Sequence, residues 1–344
     1  MEITEIERTE PGTANRRIDE AAALAALVRA ADAPGGQPII AASFAAAARN
    51  PQPGHDTSQF VATVDDQLIG FLRLDASPES PQAATGNLFV HPDHRGAGHG
   101  TALLEHALDR CRAEGRETLA LSTIAALEGG PDRSRAGTAF LERHGFTLAL
   151  DLVRRRAAVD ALGPDTEARL WDEALTASAA DYEVRDWAGP VPDDLLDSMC
   201  RMDTMVLGQV PLGDLDRAPE QVDAARLRAK EAVVASHRKT SVHTVALHRA
   251  TGEVAAHTRV EVYDLPEARH CHVVITIVDP AHRGHRLGLL VKLANLRFLR
   301  ERYPQVTDLW TANAAGNAPM IAINERLGYR PVESTGIYQR KLDA

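Results

Sequence analysis

Residues 90–100 read VHPDHRGAGHG, and residues 278–288 read VDPAHRGHRLG. Both open on V-x-P-x-H-R-G, and the second copy lies 188 residues beyond the first, about half the chain. Each follows a short apolar run, Asn87 to Val90 and Val273 to Val278. Each leads into apolar residues at helical spacing: Leu103, Leu104, Ala107, Leu108 and Cys111 in one, Leu289, Leu293, Leu296 and Leu299 in the other. A strand, a proline-marked turn, a glycine-bearing loop and a helix thus occur twice, which reads as two copies of one domain.

The flanks repeat as well. Gln59 to Val64 and Leu68 to Leu74 flank Asp65-Asp66-Gln67 as a hairpin, and Thr244 to His248 and Glu253 to Val262 flank Arg249-Ala250-Thr251-Gly252 as another. Short strands follow each helix, at Thr118 to Thr123 and Asp308 to Thr311, and each copy closes on a Gly-aromatic pair, Gly145-Phe146 and Gly328-Tyr329. A length of 344 residues suits two domains. The expected division is 1–160 and 181–344, with the polar, alanine-rich stretch 161–180 as linker.

Composition narrows the function. Lys plus Arg number 38 against 48 Asp plus Glu, a net charge of −10. A chain this acidic repels a phosphate backbone, which argues against nucleic acid as the main partner, and it is compatible with a cationic amine. Cys111, Cys200 and Cys271 have neither disulfide-framework nor zinc spacing, so no metal is expected. The polar start MEITEIERTEPG is no secretory leader, and no apolar run approaches the roughly 20 residues needed to span a membrane. The expected location is a reducing cytoplasm.

The loops carry the chemistry. In Arg95-Gly96-Ala97-Gly98-His99-Gly100 a strand ends, glycines let the backbone approach a ligand, and a helix begins whose first N–H groups are unpaired. Such a loop cradles phosphate. Arg95 braces the loop or adds to its field. The second copy, Arg283-Gly284-His285-Arg286-Leu287-Gly288, has an arginine in place of Gly98. Neither G-x-G-x-x-G nor a following Gly-Lys-Ser/Thr is present, which disfavours dinucleotide-binding and P-loop readings.

The pattern V-x-P-x-x-R-G-x-G-x-G before a helix resembles motif A of the GNAT superfamily of acetyltransferases, in its tandem, two-domain actinobacterial form. The resemblance implies a mixed α/β (α+β) fold: two GNAT folds in tandem, each a splayed mixed β-sheet flanked by helices. It implies acetyl-CoA as cosubstrate, its pyrophosphate on the loops and its pantetheine arm along the backbone of Phe89 and Val90, or of Ile277 and Val278. It further implies that the C-terminal copy is the active one. The segment from Asn313 through Asn317, Met320 and Asn324 to Tyr329 is similar to the family's N-x-x-x-N-x-x-M-x-x-x-N-x-x-L-G-F/Y pattern, which places Asn313 and Asn317 beside the cofactor. Helix capping is the competing role for Asn317. The first copy lacks both asparagines.

Amine acetylation needs a base within hydrogen-bond reach of the acceptor. His272, with Val274 and Thr276 on alternate positions of the motif strand, is one candidate, and Glu261 on the preceding strand is the other. Counting back equally in the first copy reaches Ala84 and Thr85, which offer no base. The tyrosine that protonates the thiolate in many relatives is replaced by Leu141 and Asn324, leaving Tyr338 as substitute. Residues 202–216, with Asp203, Asp214 and Asp216, read as an acidic loop shaping an acceptor site. The leading expectation is acetyl transfer to a small-molecule amine. A non-catalytic acyl-CoA-binding scaffold and a protein N-acetyltransferase stay open beside it.

Overall fold

A computed structural model of the chain describes residues 1–7, 13–209 and 221–342. It opens with β1 (Glu2–Glu5), α1 (Arg16–Asp32) and α2 (Ala41–Arg49). The hairpin β2 (Asp56–Val64) and β3 (Gln67–Ala76) leads to the first motif strand, β4 (Ala83–Val90), and to α3 (His99–Ala113). Then come β5 (Thr118–Ala125), α4 (Ala136–Arg143) and β6 (Thr147–Ala158). The second copy begins with α5 (Pro164–Ser178), β7 (Tyr182–Ala188), α6 (Leu196–Gln209) and α7 (Ala224–Ser236). Its hairpin is β8 (Lys239–His248) and β9 (Val254–Tyr263), followed by the motif strand β10 (His270–Val278) and α8 (Leu287–Arg302). It closes with β11 (Asp308–Ala314), α9 (Ala318–Arg326) and β12 (Arg330–Lys341).

Local sequence explains much of this. The β2–β3 turn places Asp65 and Asp66 at φ +49° and +63°, the twisted two-residue hairpin that Asp tolerates. In α3 the apolar stripe Leu103, Leu104, Ala107, Leu108 and Cys111 is buried, while the first turns of α8 are buried all round. Among the described residues no helix is long and apolar enough to cross a membrane.

The chain divides into two compact units, one of residues 1–153 and 332–342, the other of 154–209 and 221–331. This departs from the expected division in two ways. The stretch 161–180 is no linker: α5 occupies most of it and sinks Leu170 and Ala174 into the core of the C-terminal unit. The last strand belongs to the N-terminal unit, where Ser334 to Lys341 pair antiparallel with Ala125 to Thr118 of β5. Sheet order is therefore β1-β2-β3-β4-β5-β12 in the N-terminal unit and β11-β10-β9-β8-β7 in the C-terminal one.

Both sheets split at the motif strand. β4 runs parallel to β5 over Ala83 to Gly86 only, and β10 to β11 over His270 to His272 only. Beyond those points each motif strand keeps its partner on one side, β3 as far as Val90 and β9 as far as Val278. The freed edges are backbone N–H and C=O groups open to a ligand. The C-terminal copy adds a β-bulge between Val273 and Ile275 that leaves Val274 37% exposed. The β3–β4 ladder has none.

Candidate active site

In the N-terminal unit the loop is left-handed and open at both of its first glycines. Gly96 and Gly98 take φ +80° and +86°, and a Cβ on either would meet nothing within 4 Å. Gly98 caps α3, Ala97 between the two glycines is exposed, and Gly100 packs against Phe140. The ring of His99 lies 6.3 Å from that of His94. Arg95 serves as a brace: it donates twice to Asp32, at 2.7 and 3.0 Å, and once to the Val90 carbonyl. Phe89 stacks on Phe71.

The C-terminal loop is built differently. Gly284 takes φ +91°, but Arg286 caps α8 at φ +54°, a left-handed conformation that costs a side-chain-bearing residue about 1–2 kcal/mol. Its guanidinium is held by Glu173, which also takes Arg326. The Arg283 N–H returns to the Pro280 carbonyl, and His285 lies against Tyr182. Leu287 and Gly288 are buried, Gly288 beneath Ile323 and Val278. Ile277 is buried and Val278 half-buried at the end of β10.

Asn317 is the N-cap of α9 and accepts from the Met320 N–H, so the capping role is realised. Asn313 accepts from the Asn324 amide at 2.7 Å, and Asn324 is fully buried. Tyr338 stands elsewhere: on β12 it pairs with Leu121 and sits in the core of the N-terminal unit, because the last strand completes that sheet. Residues 202–209 continue α6 and bury Met202, so that stretch is helix and not loop. Asp203 lies in α6, and Asp214 and Asp216 fall outside the described residues.

The two expected bases come together. His272 lies directly across the β9–β10 ladder from Glu261, on one face and at the last paired position before the sheet opens. Lys239 binds Glu261 at 3.0 Å. Burial raises the Glu261 carboxyl and its cationic neighbours, Lys239 first, more than offset this, leaving it below its ordinary value. Burial, helped by Arg154, pushes His272 down to about 4, and its Nδ1 is buried without a hydrogen-bond partner among the described residues. Both groups thus stand in their proton-accepting forms at neutral pH.

Register also corrects the comparison of the copies. Counted back from the loop through the bulge, the partner of His272 is Thr85, not Ala84, and Thr85 faces Asp75 as His272 faces Glu261. Asp75 accepts from Thr57 at 2.6 Å, contacts His55 at 2.7 Å and holds Arg73 at 3.3 Å. The N-terminal unit therefore keeps the acid but has a hydroxyl where the other has an imidazole.

Sequence reasoning missed a row of polar groups on the same face of the C-terminal sheet. Trp187 stacks on His243 at 4.8 Å, His243 on His257 at 5.3 Å, and the two imidazoles share a 3.1 Å hydrogen bond. Arg259 lies opposite His243. Alternate polar residues within the apolar strands, SVHTVALH and VAAHTRVEV, were the available signal. A cavity of about 630 Å³ opens beside this face, with Glu231, Lys239 and Ser241 in its wall.

Comparison with known proteins shows which family and fold the chain is similar to. Residues 55–148 match the acetyltransferase (GNAT) domain family. The chain is 28% identical to the mycothiol acetyltransferase of Saccharomonospora viridis over 284 residues, 78% of each chain. It is also 28% identical to that of Nocardiopsis dassonvillei over 84% of each. Among solved structures, a tandem GNAT protein from the clavulanic acid biosynthesis pathway superposes with a TM-score of 0.81 at 26% identity, covering 100% of this chain and 99% of that one.

Proposed function

Because the chain belongs to the GNAT acetyltransferase family, with two copies of the fold in tandem, we propose that it moves an acetyl group from acetyl-CoA to the amine of a small molecule, in its C-terminal unit. The observation that carries this reading is the juxtaposition of His272 and Glu261 at the point where β10 parts from β11. The open edge of β10 takes the pantetheine arm, and the start of α8 takes the pyrophosphate. The strand's free N–H groups polarise the thioester carbonyl.

The amine nitrogen attacks that carbonyl, the new C–N bond forms as the C–S bond breaks, and the amine proton passes to His272. Glu261 beside it stabilises the resulting imidazolium, the role of the carboxylate in an acid–His pair. Asn324, where relatives carry a tyrosine, has no proton to give. An alkyl thiolate is a far better leaving group than the amine it is exchanged for, so the C–S bond breaks without a general acid. The N-terminal unit, with Thr85 in place of the imidazole, holds the coenzyme without transferring from it.

The test is acetyl-CoA-dependent thiol release across a broad amine panel with the full-length protein. Turnover that His272→Ala reduces by about 10²–10⁴, with coenzyme affinity retained, is the expected result. Coenzyme binding without turnover for every amine, peptides included, would make the protein a scaffold.

A further inference from the structure

The polar face of the C-terminal sheet holds a guanidinium that has no ion-paired carboxylate among the described residues; Glu261, two positions along the strand, feels its charge but is bound to Lys239. Arg259 sits on β9 between His257 and Glu261, across from His243 of β8 and Ile275 of β10. In the N-terminal unit the register-equivalent arginine, Arg73, is bound to Asp75. Here Lys239 takes Glu261 instead. Arg259 is left without an ion pair among the described residues, and its Nε is buried without a hydrogen bond.

Its neighbours do not compensate. Burial first, and Arg259 itself, push His243 down to about 3, and His257 is held well below its ordinary value, so both imidazoles are neutral. His257 Nδ1 and Trp187 Nε1 are likewise buried without a hydrogen-bond partner among the described residues. Unpaired polar groups in such a place cost free energy until a ligand satisfies them. With Glu261 bound to Lys239 and both imidazoles neutral, this guanidinium is left to take an anion from a ligand.

We propose that Arg259 binds a carboxylate on the acceptor, which makes the substrate class amino acids and other amines that carry an acid group. This rests on the reading of the C-terminal unit as an amine acetyltransferase. Residues two apart on one strand face are about 7 Å apart, so the Arg259 row and the His272–Glu261 row are spaced for the two ends of such a molecule. Glu261 attracts the ammonium end and repels the carboxylate, which fixes the orientation. The reaction is as above, with the amine proton going to His272.

The experiment uses full-length protein, acetyl-CoA and matched pairs of amino acids and their decarboxylation products: lysine and cadaverine, ornithine and putrescine, histidine and histamine, phenylalanine and phenethylamine. The acid member of productive pairs should show at least about tenfold higher kcat/KM, a preference of 1.4 kcal/mol or more. Arg259→Gln should erase it and Arg259→Lys restore part of it. Decarboxylated amines acetylated equally well, or a preference that survives Arg259→Gln, overturns the proposal and leaves the acetyltransferase reading standing. If no amine in the panel releases thiol, that reading fails for this class, and calorimetric titration of the same amino acids into CoA-saturated protein decides the carboxylate site. Binding lost in Arg259→Gln supports it, and no binding to either protein overturns it.

Discussion

His272 and Glu261 face each other across β10 and β9, one strand position before the sheet opens. Burial holds the imidazole at about 4, with Glu261 acting in the opposite direction. An unperturbed histidine would give a rate rising near pH 6.5. Here the base is neutral above about pH 4, so kcat/KM should climb through that region and be level in this group's titration from pH 6 to 8. Glu261→Gln removes the charge that favours the imidazolium and should move the limb lower while reducing kcat. A limb that stays near 6.5 in wild type and vanishes in His272→Ala would show that the imidazole is not desolvated.

The last strand makes a second prediction. Glu333 is fully buried and holds both Arg29 of α1 and Arg133 ahead of α4. Removing one member of a buried ionic cluster leaves its partners uncompensated, at a cost of about 3–5 kcal/mol. The only tryptophans, Trp171, Trp187 and Trp310, all lie in the C-terminal unit. Glu333→Ala should therefore lower the urea midpoint seen by far-ultraviolet circular dichroism while the tryptophan-fluorescence transition stays in place. A common shift of both signals would mean that the two units unfold together.

The loops allow the sites to be separated. A Cβ at Gly288 would stand 3.1 Å from Ile323 Cδ1, and Gly288→Asp adds an anion where the coenzyme's pyrophosphate is proposed to bind. At Gly98 there is room for the side chain, so Gly98→Asp acts through its charge and its φ of +86°. Calorimetry with coenzyme A should find a different site lost in each variant, and turnover lost with Gly288→Asp alone. The reverse pattern, turnover stopped at Gly98 and intact at Gly288, assigns the chemistry to the N-terminal unit.

What was legible in the sequence is what is local. Both hairpins, both motif strands and both glycine loops follow from residue alternation and turn chemistry within about twenty residues, and all of them form. The partner of β12 is not encoded that way: Arg330 to Lys341 alternates as any half-buried strand does, and only packing assigns it, and with it Tyr338, to the N-terminal unit. The bulge at Val274 is a one-residue change that leaves the 188-residue spacing of the loops intact and shifts everything upstream by one. Counting therefore arrives at Ala84 where the ladder arrives at Thr85. The pKa of His272 depends on burial by distant segments, which no local pattern reports.

Acid should damage the C-terminal unit first. His243, His257, His270 and His272 all lie there, and burial is the largest cause lowering each of them, to about 3 for His243 and about 4 for His270 and His272. An unfolded histidine titrates near 6.5, so between that value and the folded pKa the unfolded chain binds more protons than the folded one. Stability is then fully present above pH 6.5 and is lost as pH falls, by up to about 1.4 kcal/mol per pH unit for each histidine. Tryptophan fluorescence should show urea midpoints falling steeply from pH 6.5 towards 4. His257→Gln should flatten that slope by up to one proton's worth while lowering stability at pH 8. If the midpoint is the same at pH 5 and pH 8, these imidazoles are solvated in the folded protein, and the neutral surroundings of Arg259 are lost with them.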